Sequence, residues 1–145
     1  MFKDETVDLI YCCHALEYFD REDAQQKVLP EWYRVLKHNG ILHLAVPDFE
    51  AIVKVYLKYR NLNHRGILGP LYGRIVVDGI KYHKCTYDFP SLKKVLELVG
   101  FREILRYDWR KTIYKDYDDF SQAYIPHMDK EHGILISLNI EAKKP

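Results

Sequence analysis

Residues 7–13, Val-Asp-Leu-Ile-Tyr-Cys-Cys, are a short apolar run rich in β-branched and aromatic side chains. Such a run is typical of a strand buried on both faces inside a parallel sheet. A helical pattern over 20–36 follows, with apolar residues every three or four positions, and a second apolar run covers 41–46. Strand, helix and strand with short connections predict a βαβ unit and an α/β fold.

Capping residues bound the first predicted helix. Asp20 offers an N-cap, and Asn39-Gly40 predicts a left-handed stop, with Lys37 and His38 in the last turn. Pro30 removes one helical hydrogen bond, so we expect a kink or a restart at the residue before it. Asp48 predicts the cap of a second helix directly after the second strand.

Residues 61–84 interrupt this alternation, because four glycines and a proline punctuate them. Asp78-Gly79 predicts a two-residue turn, so we expect a flexible insertion that ends in a small hairpin. A helix over 88–100 and a strand over 101–109 follow. In the last predicted strand, 134–142, apolar and polar residues alternate, which predicts one wetter face.

The composition bounds the class of protein. The 145 residues suit one domain, and 48% apolar with 30% charged residues is typical of a soluble globular chain. A net charge of +1 argues against nucleic acid as the main partner. We expect no membrane span and no signal peptide. Three cysteines, two of them adjacent, form a poor disulfide framework and favour a reducing, cytoplasmic location.

Three motifs together resemble the class I S-adenosylmethionine-dependent methyltransferases. They are His14-Ala-Leu-Glu17 after the first strand, Arg34-Val-Leu-Lys-His-Asn-Gly40 before the second, and Val46-Pro-Asp48 after it. The family has a Rossmann-like sheet with a final antiparallel strand, which residues 134–142 resemble. The resemblance covers nearly the whole chain. It implies a partial sheet of about four main strands, the last antiparallel, with flanking helices and the hairpin insertion over 61–84.

In that family a glycine-rich turn that approaches the cofactor precedes the strand resembled by residues 7–13. No G-x-G motif lies before residue 7. We therefore expect residues 1–145 to form a single half-domain, the C-terminal half of a methyltransferase without the half that holds S-adenosylmethionine. A gene truncation and a split protein are both compatible with this expectation.

Candidate catalytic residues follow the first strand, where open α/β sheets place ligands. His14 is a candidate general base, because imidazole titrates near neutrality, and Glu17 is its candidate partner. The alternative is that both residues cap and solvate the turn. The resemblance implies that Cys13, His14 and Leu16 lie beside the cofactor if a partner completes the site.

The later connections would roof the site of a complete enzyme, and their aromatic and charged residues suit a polar acceptor such as a sugar or a small metabolite. The alternative is that these residues pin down long loops. Neither Cys12-Cys13-His14 nor the His127, Asp129 and His132 cluster predicts a metal site, because the former point to opposite faces and the latter suits a polar turn. The candidate substrate-binding residues are His83, Tyr87, Asp88, Trp109, Arg110, Tyr124 and His127.

An apolar edge along residues 7–13 would invite pairing with another chain. The first hypothesis is a half-domain that forms a homodimer through this edge and lacks catalysis alone. The second is a split methyltransferase completed by a chain that carries the glycine-rich half. The third is a non-catalytic module that binds a sugar or a small metabolite.

Overall fold

The structure is a computed structural model that describes residues 2–145. The strands are β1 (Val7–Cys13), β2 (Leu36–Pro47), β3 (Arg74–Val76), β4 (Ile80–Tyr82), β5 (Arg102–Arg106), β6 (Tyr124–Ile125), β7 (Ile134–Leu135) and β8 (Ser137–Lys143). The α-helices are α1 (Arg21–Asp23), α2 (Leu29–Val35), α3 (Phe49–Tyr59), α4 (Arg65–Tyr72) and α5 (Phe89–Val99). A π-helical segment, Ala24–Val28, joins α1 to α2.

A four-stranded sheet with the order β1-β2-β8-β5 organises the fold. Strand β1 runs parallel to β2, and β8 runs antiparallel to both of its neighbours. The predicted α/β class and the antiparallel last strand are thus confirmed. Within residues 2–145, β1 pairs only with β2, so no strand lies along its outer edge. The expectation that β1 is buried on both faces is wrong, because an edge strand is covered incompletely: Asp8 is exposed and its neighbours are partly buried.

The helix before β2 restarts at Leu29, as Pro30 predicts. The backbone N–H of Leu29 donates to the carbonyl of Ala24, five residues earlier, which is the π-helical spacing. The shifted register places Pro30 in the first turn of α2, where a missing N–H costs little.

This helix ends earlier than the sequence predicts. Val35 is its last residue, because Leu36 is already extended and pairs with Val7 of β1. Lys37 and His38 therefore lie in β2 rather than in a last helical turn. Asn39 does adopt the predicted left-handed conformation, with φ of 62°, but inside the strand segment.

The main core lies between one face of the sheet and the helices that flank it. The sheet and helix side chains that meet there are almost completely buried, and each contributes about 1.5–3 kcal/mol relative to exposure. The members with less than 2% exposure include Leu29, Leu42, Leu44, Leu92, Leu96, Phe101, Leu138 and Ile140.

The opposite face of β8 reaches water only toward the end of the strand, where the Glu141 side chain is 35% exposed, and its start is not the wetter face that the alternation predicts. Ser137 and Asn139 are both 3% exposed. The short 3₁₀ helix Phe120–Gln122 covers them, and the Asn139 side chain donates to the carbonyl of Ser121 at 2.8 Å. Ser137 and Asn139 satisfy buried hydrogen bonds instead of contacting water.

The segment 61–84 contains more regular structure than the sequence predicts. Helix α4 was not predicted, and its Ile67 packs against Ile52 and Val55 of α3. Strands β3 and β4 form the expected hairpin around Asp78-Gly79. Because Val76 pairs with Ile80, its loop has three residues rather than two.

Strand β5 ends at Arg106, so Trp109 lies in a 3₁₀ turn rather than in the predicted strand. Among the helices of residues 2–145, none combines the length and the apolar character that crossing a membrane requires.

Candidate functional site

The carboxyl end of β1 carries His14, which the backbone holds in a restricted conformation. Its φ is 49°, in the left-handed region, and its N–H donates to the carbonyl of Ala45 in β2 at 2.8 Å. Its imidazole Nε2 lies 3.0 Å from Oγ of Ser137 in β8. The ring therefore connects the end of β1 with the start of β8.

Hydrogen-bond directions assign the tautomer of His14. The Asn139 amide nitrogen donates to Ser121, so its Oδ1 is the acceptor of the Ser137 hydroxyl at 2.8 Å. The Ser137 hydroxyl hydrogen is thereby used, and its oxygen accepts from Nε2–H of His14. The remaining nitrogen, Nδ1, then carries a lone pair.

Glu17 lies in the 3₁₀ turn Leu16–Tyr18 and its side chain is 0% exposed. Neither carboxyl oxygen has a hydrogen-bond partner within residues 2–145. Oε1 lies 3.4 Å from Nδ1 of His14 and 3.7 Å from Nε2 of His83. Burial raises the pKa of this carboxyl to about 7, because a desolvated carboxylate is costly.

His83 follows β4 and presents a second lone pair to the same carboxyl. Its Nδ1 lies 2.9 Å from the carbonyl oxygen of Pro70, which only accepts, so Nδ1 carries the hydrogen. Nε2 is then the unprotonated nitrogen that faces Glu17. The His83 ring packs edge-on against Tyr18, with the ring centroids 4.6 Å apart.

Both imidazoles favour the neutral form. Burial lowers the pKa of His14 to about 4, with a further contribution from the nearby His83. Burial also lowers the pKa of His83. A carboxyl that titrates near neutrality thus lies between two neutral rings, an arrangement that can accept and release a proton. Within residues 2–145, no three His, Cys, Asp or Glu side chains are arranged to hold a metal ion.

An open groove of about 380 Å³ is connected to this cluster through Ser137. Ser137, the partner of His14, lines it together with ionic side chains of both signs. Arg106 donates to Asp48 at 2.9 Å, which links β5 to the end of β2. The sequence did not identify Ser137, Asp48 or Arg106 as site residues. The polar alternation within 134–142 was the available signal for Ser137.

The three residues that the resemblance implies for the cofactor have different surroundings. The Leu16 side chain is completely buried in the core. Cys13 lies near Asp119 and Tyr11, and burial raises the pKa of its thiol to about 12. Only His14 contacts a groove residue. That Cys13, His14 and Leu16 lie beside the cofactor in a site completed by a partner stays a prediction.

Two candidate substrate residues lie at the start of α5. Tyr87 is 1% exposed, and its hydroxyl has no hydrogen-bond partner among the described residues. Asp88 caps α5, because its carboxyl accepts from the Ser91 N–H while Ser91 Oγ accepts from the Asp88 N–H. The carboxyl of Asp88 is thus engaged in holding the helix.

Three other candidate substrate residues, Trp109, Arg110 and Tyr124, form a separate cluster. The Trp109 indole contacts two cations: the guanidinium carbon of Arg110 is 4.5 Å from the ring centroid, and Nζ of Lys130 is 4.9 Å away. Its N–H donates to the Tyr124 hydroxyl at 3.3 Å. His127 is exposed in the turn after β6. Of the seven candidate substrate residues, only His83 contacts the candidate catalytic pair.

Comparison with known proteins adds to this geometry. Residues 1–44 match the model of a family described as a methyltransferase domain. A glycine/sarcosine N-methyltransferase from Aphanothece halophytica is 27% identical over 134 residues, which cover 80% of this chain and 50% of that protein. An uncharacterized protein from Methanocaldococcus jannaschii is 29% identical over 138 residues, 90% of this chain and 57% of its own length. The chain thus spans about half the length of these relatives.

Solved structures share the fold. A SAM-dependent methyltransferase from Archaeoglobus fulgidus superposes with a TM-score of 0.53 at 16% identity, covering 99% of this chain and 62% of that one. A SAM-dependent methyltransferase from Thermotoga maritima, described as a possible histamine N-methyltransferase, gives 0.53 at 16% identity over 99% and 59% of the two chains. The fold of this chain is that of Rossmann-like methyltransferases.

Proposed function

We propose that this chain forms the acceptor-binding half of an S-adenosylmethionine-dependent methyltransferase. The match of residues 1–44 to a methyltransferase domain carries the proposal. The position of His14, Glu17 and His83 supports it, because they meet at the carboxyl end of β1, the edge at which open α/β sheets bind ligands.

The cofactor-binding half joins this chain along the outer edge of β1. Two observations support this part of the proposal. Strand β1 pairs on one side only within residues 2–145, and the chain spans about half of its curated relatives. A strand beside β1 would satisfy the backbone groups of that edge and extend the sheet. The glycine-rich turn that holds the cofactor then belongs to that half.

The acceptor occupies the groove beside Ser137. Side chains of both charges line the groove: Asp48, Glu50, Lys54 and Arg106. This lining suits a polar acceptor such as a sugar or a small metabolite with hydroxyl or amino groups. His14 is connected to this groove by its hydrogen bond to Ser137. A change in the protonation of His14 therefore changes the hydrogen bonding that Ser137 offers to the methyl acceptor.

Titration calorimetry with S-adenosylmethionine tests whether the other half supplies the cofactor site. The chain is titrated alone and together with the polypeptide that carries the glycine-rich half, encoded upstream in frame or by a neighbouring gene. We expect heat of binding only from the combination. Binding by this chain alone would contradict the division between halves, and no binding by the combination would contradict the methyltransferase proposal.

A homodimer without catalysis is the second candidate, and the same edge of β1 favours it, because a second copy also supplies a strand. Sedimentation velocity on the isolated chain distinguishes the two: a dimer supports self-pairing, and a monomer contradicts it. A non-catalytic binding module would instead bind a sugar or a small metabolite with an affinity that S-adenosylmethionine does not change.

A further inference from the structure

The contact between Glu17 and His83 joins two parts of the chain that the sheet does not connect. Glu17 belongs to the turn after β1, whereas His83 closes the hairpin of β3 and β4. The backbone N–H of Lys84 donates to the Glu17 carbonyl at 2.8 Å, and that of His83 donates to the Tyr72 carbonyl at 2.8 Å. The hairpin is therefore attached to the site where Glu17 and Tyr18 meet His83 and Lys84.

The two imidazole nitrogens that face Glu17 both carry lone pairs, so a proton on the carboxyl or on one ring is needed to join them. Ser137 fixes the hydrogen of His14 on Nε2, and Pro70 fixes that of His83 on Nδ1. Two lone pairs consequently face Oε1, at 3.4 and 3.7 Å. Both ring nitrogens would present acceptors to a carboxylate there and repel it, whereas a single shared proton satisfies the carboxyl and one ring.

Groups on the neighbouring elements supply no compensating charge. The Cys12 thiol of β1 and the Tyr18 and Tyr87 hydroxyls lie near the carboxyl without contacting it, and burial raises the pKa of each, so all three are neutral near pH 7. The Arg21 guanidinium lies over the Tyr87 ring, 5.3 Å from its centroid. Asp119 faces His14 and is itself acidic. None of these side chains places a positive charge at the carboxyl, and the backbone N–H of Glu17 itself is the group that favours the carboxylate.

We propose that Glu17, His14 and His83 form a proton-binding site whose single shared proton holds the hairpin segment 73–83 against the end of β1. Loss of the proton leaves a buried carboxylate between two lone pairs, and the hairpin separates from Glu17 as water enters. Protonation of both rings at low pH places two cations together and has the same effect. The hairpin is docked at pH values between loss of the shared proton and protonation of both rings. Its release opens the end of β1.

Amide hydrogen exchange of His83, Lys84 and Cys85 tests this site, with rates corrected for intrinsic exchange at pH 6 and pH 8.5. We expect protection to fall at least tenfold at the higher pH, while the amides of β2 stay protected. Glu17→Gln presents a carboxamide N–H₂ to the two lone pairs and does not titrate, so its protection is expected to be independent of pH. The exposed Glu22→Gln is the matched control and is expected to behave like the parent chain.

An equal loss of protection in the parent chain and in Glu17→Gln would overturn the proposal, as would unchanged protection in the parent chain. ¹³C NMR of the glutamate carboxyls provides a second measurement that does not depend on any variant. A Glu17 signal that titrates near neutrality supports the shared proton, and a signal that titrates with the exposed glutamates contradicts it.

Discussion

The Asn139 side chain donates a hydrogen bond to the Ser121 carbonyl at 2.8 Å and accepts one from Ser137 at 2.8 Å, all in the interior. This amide fixes the segment after residue 119 on the sheet and orients the partner of His14. Replacing Asn139 with Ala leaves two polar groups unsatisfied, so we expect the free energy of unfolding to fall by about 1–3 kcal/mol. Urea denaturation measures it.

The control for this prediction is Asn61→Ala. The Asn61 side chain accepts a hydrogen bond from the Asn63 N–H at 3.0 Å, but it is exposed. We expect a loss of well under 1 kcal/mol there, since water replaces the lost partner. Equal losses in the two variants would contradict a special role of the buried amide.

Gly73 lies directly against His83. Its φ is +34°, and a Cβ at this position would lie 2.1 Å from Nε2 of His83. We expect Gly73→Ala to displace the imidazole and to cost about 1–3 kcal/mol in stability. Gly69→Ala in α4 is the matched control, because nothing lies within 4 Å of its added Cβ. A helical alanine there should stabilise by up to about 1 kcal/mol, and chemical denaturation of both variants distinguishes the outcomes.

The dependence of stability on pH contains two opposing contributions. The pKa of Glu17 is raised from 4.5 to about 7, so the native chain binds a proton that the unfolded chain releases, and stability falls as pH rises between these values. The pKa of His14 is lowered from 6.5 to about 4, so its contribution increases stability with pH over that interval. Each amounts to about 3 kcal/mol at most.

The slopes of Glu17 and His14 oppose each other between about pH 4.5 and 6.5 in the parent chain, and the lowered pKa of His83 adds to the rising side. Glu17→Gln removes the falling contribution only. We therefore expect the stability of this variant, followed by denaturant titrations at several pH values, to rise with pH up to about 6.5 and then to level off. A profile parallel to that of the parent chain would show that Glu17 titrates normally.

The adjacent cysteines are expected to be poor nucleophiles in the folded chain. Burial raises the pKa of Cys12 to about 11 and that of Cys13 to about 12. The thiolate is the reactive form, so alkylation by iodoacetamide at pH 8 should be about a hundredfold or more slower than in urea. Mass spectrometry of the labelled peptides measures both rates. Equally fast labelling with and without urea would refute this prediction.

Local sequence patterns predicted the parts of the fold that depend on local physics. Strands β1 and β2 and the restart at Leu29 follow from apolar periodicity and from the missing N–H of Pro30. Helix α4 was missed, because its glycines and proline argue against a helix and its stability comes from Ile67 packing on α3. That contact joins distant parts of the chain and leaves no local signal.

In the candidate site, too, local patterns predicted some residues and distant contacts determine the others. His14 and Glu17 were selected because they follow a strand of a parallel sheet, and His83 was selected for a different role. The contact between Glu17 and His83 depends on how the hairpin folds back, which the spacing of residues does not encode. Ser137 escaped notice because its face of β8 was expected to meet water, whereas a distant 3₁₀ helix covers it.

The position of β8 between β2 and β5 has a consequence for the order in which the protein forms during synthesis. No other strand of the sheet links β5 to β2, and β8 leaves the ribosome after all of them. In the nascent chain, β2 can pair with β1 on one side, and its other side stays unpaired until residues 137–143 emerge. Sheet closure is a late, long-range event, which slows folding and exposes the apolar strands to chaperones in the interval.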